Sequence, residues 1–168
     1  MRHSRSDEID TFTSVAVHQL DLVIWKQYGK TYVNLQGPET KASPAPVPPN
    51  AEFFGIIFKV GTYMPHLPLT NLVNGSINLP EAGARSFWLN GSAWQIPTYE
   101  NADTFINRLV RNGLLRQEPV ITPVLNGHPF EMSVRSIQRR FLHSTGLNQT
   151  TIMQIERARR AALMLQQS

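Results

Sequence analysis

The chain changes its periodicity once, near Tyr99, and that change constrains the fold more than any other feature of its 168 residues. Upstream, apolar residues fall in short runs rich in β-branched and aromatic types, cut up by proline and glycine. Downstream they recur every three or four residues. A strand turns one face to the core every second residue and a helix every 3.6, so the two halves belong to different kinds of structure. The pattern predicts an α+β chain: a β-rich domain over residues 1–98, a connecting helix within 99–117 and a helical region over 118–168.

Within the first half, VAVHQLDLVIW (Val15 to Trp25) and KTYVNL (Lys30 to Leu35) predict strands, with Tyr28-Gly29 as the turn of a hairpin. Residues 37–52, GPETKASPAPVPPNAE, hold prolines at 44, 46, 48 and 49. Proline is unsuited to helix interiors and central strands, so this segment predicts an extended surface connection. FFGIIFKV, Phe53 to Val60, is nearly all apolar and predicts a strand covered on both faces. From Gly61 to Pro97 no period persists, which predicts an irregular packed region with short helices.

The helical half is more legible. Asn101 or Asp103 suits the cap of a helix carrying Phe105, Ile106, Leu109 and Val110, with Gly113 as its stop. A short helix follows Pro119 through Val120, Val124 and Leu125, ended by Asn126-Gly127. Ser133 suits the cap of a helix over 134–144, whose apolar face is Val134, Ile137 and Phe141, and Gly146 terminates it. Asn148 suits the cap of a helix from Gln149 to about Gln167, with Ile152, Ile155, Arg159 and Ala162 in one stripe.

Charge follows the same division. Residues 1–131 carry ten basic and eleven acidic side chains, whereas residues 132–168 carry six arginines and one glutamate. A basic helical end suggests an anionic partner, with nucleic acid first; the plain alternative is a solvated helical surface. No apolar run is long enough to span a membrane, and MRHSRSDEID has no apolar stretch behind its basic residues, which points to the cytoplasm. The absence of cysteine excludes disulfides, thiolate metal sites and cysteine nucleophiles. His3, His18, His66, His128 and His143 show no metal-ligand spacing, and no nucleophile elbow or phosphate-binding glycine loop is present. No catalytic residue, metal or cofactor is therefore expected. Phe87, Trp88 and Trp94 suit either a small-molecule pocket or a packed core, and the core is the commoner fate.

Groove reading by a helix needs an apolar back and a front of donors that can bond two base-edge acceptors at once, as arginine does to guanine and glutamine to adenine. Arg135, Gln138, Arg139 and Leu142 share one face of helix 134–144, and Arg135 and Gln138 stand about 5 Å apart along the axis. Arg140 lies off that face and suits a phosphate or a surface ion pair. Ser133 and Asn148 sit at helix starts, where free N–H groups can bind phosphate.

The string MSVRSIQRRFLHSTG, Met132 to Gly146, resembles the first recognition helix of the AraC/XylS family of bacterial transcription regulators: a cap residue, then Ile137-Gln138-Arg139-Arg140-Phe141, then Thr145-Gly146 and a long linker helix. The resemblance implies sequence-specific binding of double-stranded DNA, with Arg135, Gln138 and Arg139 at base-reading positions. Ser133, Arg140 and Asn148 would then serve the DNA backbone, and residues 118–126 would be the first helix of a helix-turn-helix. Upstream, FFGIIFKVGTYMPHLP, RSFWLNGSAWQIP and ENADTFINRLVRNGLL resemble a degraded cupin-like sensor domain of the same regulators, which implies a small-molecule effector. A symmetric operator would suit a homodimer joined through helix 101–112, unless that helix packs on its own domain. Family members carry a second helix-turn-helix after the linker helix, and nothing here matches it. The expectation is therefore a truncated regulator that binds DNA weakly. The alternative is a ligand-sensing or dimerisation module without productive DNA binding.

Overall fold

The computed structural model describes residues 10–167 and shows a mixed α+β architecture of small antiparallel sheets and four helices. The strands are β1 (Asp10–Ser14), β2 (Asp21–Gln27), β3 (Lys30–Gln36), β4 (Ser43–Val47), β5 (Glu52–Ile57), β6 (Thr62–Tyr63), β7 (Ser76–Leu79), β8 (Glu81–Gly83), β9 (Ser86–Leu89), β10 (Ser92–Gln95) and β11 (Arg116–Gln117). A single 3-10 turn lies at Leu69–Asn71. The helices are α1 (Ala102–Arg111), α2 (Ile121–Leu125), α3 (Val134–Thr145) and α4 (Gln149–Gln166).

The main sheet has the order β5-β2-β3-β7. Its centre is the expected hairpin, in which Tyr28 (φ 49°) and Gly29 (φ 78°) make the positive-φ turn that the strand twist favours. Alternation places Leu22, Ile24, Val33 and Leu35 on the buried face, with Leu22 opposite Leu35 and Ile24 opposite Val33. Trp25 stacks on Tyr32 across the opposite face, ring centroids 5.1 Å apart.

Three expectations are corrected. The segment Val15–Trp25 is not one strand: β1 ends before it and β2 begins at Asp21, with only an isolated bridge from Val17 to Glu39 between them. The proline-rich connection is extended as expected, but Ser43–Val47 pairs with β1 as β4. Pro44 and Pro46 stand two residues apart, so both can turn their missing donor to the same unpaired side of a two-stranded sheet. The FFGIIFKV strand, β5, is at a sheet edge and is covered on one face only; Phe53 and Ile57 are exposed. A run of apolar residues cannot by itself distinguish a doubly covered strand from an edge strand.

The region 61–97 is mostly short strands where short helices were expected. The β9–β10 hairpin turns on Asn90-Gly91, both at positive φ. Phe87 and Trp94 from this hairpin pack with Phe105 and Leu109 of α1 in the main core, so α1 covers its own β-rich neighbour. Trp88 is half exposed and Trp94 is buried in the core, while Phe87 also touches a small cavity of about 120 Å³. Asn101 precedes α1 as expected, yet its side-chain carbonyl accepts from Thr98 N–H at 2.7 Å and caps no helix donor.

A second core gathers Ile121, Phe141, Leu147, Ile152 and Ile155, with Val60 and Val73 from the β-rich part packed on it. The helices are therefore docked on the sheets. β11 pairs with β6, Glu118 N–H donates to the Gly61 carbonyl at 2.9 Å, and α3 lies over the turn at Leu69–Asn71.

Candidate nucleic-acid interface

Helix α3 is specified at both ends. Ser133 takes an extended conformation, and its Oγ accepts from Ser136 N–H at 3.2 Å. At the other end, the buried Thr145 hydroxyl lies 2.6 Å from the Phe141 carbonyl and accepts from Leu147 N–H at 3.1 Å. Gly146 then turns left-handed at φ 74°, and an added Cβ there would sit 2.8 Å from the Leu69 carbonyl oxygen. The Thr-Gly pair thus closes α3, satisfies the turn and lets it approach the β-rich part closely. Asn148 starts α4, its Oδ1 accepting from Thr151 N–H at 2.8 Å.

Burial divides the faces of α3. Phe141 is fully buried against Ile121 and Ile152, and Ile137 packs partly on the same core. Arg135, Gln138 and Arg139 are exposed, as is Leu142 beside them, so the three predicted base-reading side chains share one open face. Val134 departs from expectation: it is 71% exposed. Of the predicted apolar face, Ile137 and Phe141 are the residues that pack on the second core.

Arg139 also lines a groove of about 300 Å³ with Tyr63, Leu67, Thr70 and His143, on the flank of α3 that meets the β-rich part. The His143 ring packs edge-on to Tyr63 at 5.0 Å. Arg140 points elsewhere: its Nη1 donates to both carboxylate oxygens of the buried Glu118 at 3.0 and 3.2 Å. Of the two uses open to Arg140, the structure shows the ion pair. Arg157 and Arg160 are exposed on α4, with Arg160 3.7 Å from Glu156.

The sequence held no local sign of a polar cluster where α4 meets the β-rich part. His18 Nε2 lies 3.1 Å from Glu156 Oε1, and His18 is 3% exposed. Burial holds the His18 imidazole below its ordinary range against the attraction of Glu156, with Arg159 adding to the depression. Nearby, the Asp21 carboxyl is pushed up to about 6, chiefly by burial and also by Glu39, against an opposing pull from Arg159. These partners come from distant segments, so no spacing in the sequence announces them. No group of three or more metal-binding side chains converges among the described residues, and no described helix is long and apolar enough to cross a membrane.

The open face of α3 offers two guanidinium groups and one carboxamide, all able to donate to base edges or phosphates. No known family model matches the chain, and no curated protein or solved structure does.

Proposed function

We propose that this chain is a sequence-specific DNA-binding regulator of transcription of the AraC/XylS type, acting in the bacterial cytoplasm. In this reading α2 and α3 form a helix-turn-helix, α3 enters the major groove, and the β-rich part is a degraded cupin-like sensor. The observation that carries it is the coexistence of Arg135, Gln138 and Arg139 on one exposed face with a fully buried Phe141 on the opposite side of the helix. Ser133 and Asn148 place helix N-termini near the same surface, where backbone phosphates would sit. Arg140 joins them only if a phosphate displaces Glu118. A homodimer on a symmetric operator and a small-molecule effector complete the proposal.

Selection from a randomised duplex pool followed by mobility-shift titration tests it. A preferred sequence should emerge, with log affinity falling against log salt by about 0.9 for each phosphate contact. Arg135→Ala and Gln138→Ala should each relax preference at a different position by about 1–3 kcal/mol. If neither substitution alters the selected sequence, α3 is not the reading helix.

A second reading, a ligand-sensing or dimerisation module without productive DNA binding, draws on the apolar surface of α4, where Leu163 and Leu165 are 58% and 78% exposed. Mixing the chain with a DNA-binding regulator of the same type and following loss of that regulator's dimeric DNA binding separates the two.

A further inference from the structure

The main sheet ends in a free edge at β5. Phe58 N–H donates to the Leu20 carbonyl at 3.0 Å, and β5 runs against β2 without a bulge, Ile57 opposite Asp21 and Phe54 opposite Ile24. Opposed residues of an antiparallel ladder alternate between exchanging hydrogen bonds and not. Ile56, Phe54 and Glu52 therefore bond to β2, and Phe53, Gly55 and Ile57 turn their N–H and carbonyl groups outward. Among the described residues no other backbone group bonds to these three. Natural edges are blunted by charges, prolines or bulges, and residues 53–57 have none of them. Phe53 and Ile57 are exposed on the outer face, where Trp25 stacks on Tyr32. Gly55 lies between them without a positive φ, and an added Cβ would meet nothing within 4 Å. Among the described residues no contact calls for a glycine there.

We infer that β5 pairs antiparallel with β5 of a second copy of this chain, about a two-fold axis at Gly55, and joins the two main sheets into one. In that register Phe53 faces Ile57 of the second copy, Gly55 faces Gly55 and Phe54 faces Ile56. The outward-turned groups then meet each other and form about six backbone hydrogen bonds. On the outer face each Phe53 has the bare Gly55 of the other copy as its diagonal neighbour, which gives the ring a surface to cover. Glu52 opens the strand and Lys59 follows it, both exposed, so the pairing brings opposite charges together at each end. The two-fold uses up the edge, so assembly stops at the dimer. Helix α1, the expected dimer contact, buries Phe105 and Leu109 in its own core. The inference gives the homodimer of the reading above its interface and rests on that reading only there; the edge follows from the sheet alone.

Sedimentation velocity of the full chain without DNA tests it. The interface is small, so the dimer should have a Kd of about 10 µM. Phe53→Glu and Ile57→Lys alter exposed side chains at the edge. Each should raise the Kd about tenfold and retain the circular dichroism spectrum of the parent. An equimolar mixture of the two should recover the dimer, because the register sets the introduced carboxylate opposite the introduced ammonium group. The chain has no cysteine, so a single introduced one reports on the register. Gly55→Cys, with opposed Cα atoms about 5.5 Å apart, should form an interchain disulfide on mild oxidation, and Glu52→Cys, about 20 Å from its symmetry mate, should not. A chain that stays monomeric to about 200 µM overturns the inference. So do edge variants that dimerise as the parent does, a mixture that associates no better than either variant, or cross-linking at 52 as readily as at 55. Loss of the dimer on Val110→Glu, with Phe53→Glu without effect, overturns it too, since exposed Val110 would make α1 the contact. A dimer that selects no duplex sequence upholds the interface and defeats the DNA-binding reading; a monomer that selects one does the reverse.

Discussion

A single nitrogen of Arg140, Nη1, donates to both oxygens of the Glu118 carboxylate, at 3.0 and 3.2 Å, and so ties α3 to the segment between β11 and α2. Glu118 is 8% exposed and also accepts from Val120 N–H at 3.3 Å. Removing the guanidinium leaves a buried carboxylate without its charged partner. After allowance for the exposed side of Arg140, Arg140→Ala should cost about 1–2 kcal/mol in urea unfolding and leave base preference intact. A variant as stable as the parent, with a shallower salt dependence of DNA binding, would instead assign Arg140 to a phosphate.

Gly146 joins α3 to α4 and meets Leu69 at the same point. Gly146→Ala places a Cβ 2.8 Å from the Leu69 carbonyl oxygen in addition to the left-handed backbone penalty. Gly91 supplies the control, because it has nearly the same φ, 76°, and an added Cβ there would meet nothing within 4 Å. Gly91→Ala should cost about 1–2 kcal/mol, the conformational penalty alone, and Gly146→Ala clearly more. Equal losses in urea denaturation would show that the α3–α4 turn is not held against Leu69.

The elements legible in the sequence are those fixed by neighbouring residues. Tyr28-Gly29 marks its hairpin, and Ser133, Gly146 and Asn148 mark the ends of α3 and α4, because caps and positive-φ turns act within a few residues. The strands β6 to β10 are not legible, since runs of two to four residues are too short to display a period. Asn90-Gly91 is a usable hairpin signal, but the surrounding breakers conceal it. Of the candidate interface, the open face at Arg135, Gln138 and Arg139 is visible in the spacing. The partner of Arg140 and the His18–Glu156 contact are not, because each depends on how distant segments dock.

The docked cluster has a pH signature. The Asp21 carboxyl is pushed up to about 6, so the folded chain holds this proton after the unfolded chain, at about 4, has lost it. Its contribution to stability is fully present below about pH 4 and is lost as pH rises through 6. Asp21→Asn removes that loss and should be more stable than the parent by about 1–2 kcal/mol at pH 7, after discounting for solvent screening, with the difference gone near pH 4. Urea titrations at both pH values measure it, and a destabilised variant at pH 7 would contradict the assignment.

His18 acts with the opposite sign. Its imidazole is held below the ordinary value by burial, so the unfolded chain takes up the proton first. That contribution is complete above about pH 6.5 and is lost as pH falls below it. His18→Gln should flatten the fall of unfolding free energy on the acid side of pH 6.5. A parent curve without such a fall, or a variant with an unchanged one, would place His18 outside this linkage.

Thr70 tests which side of α3 the duplex occupies. It is exposed and lines the same groove as Arg139, so a charge placed there lies beside the proposed reading face without replacing any of its donors. If the duplex passes over this flank, Thr70→Lys adds a phosphate contact and steepens the salt slope by about 0.9, raising affinity for all sequences alike. Thr70→Glu should lower affinity uniformly, because it sets a like charge against the backbone. Neither changes the preferred sequence, since phosphate contacts carry no base information. If both variants bind as the parent does while Arg135→Ala alters the preference, the duplex lies toward the N-terminal turn of α3, away from the groove that Arg139 shares with Tyr63.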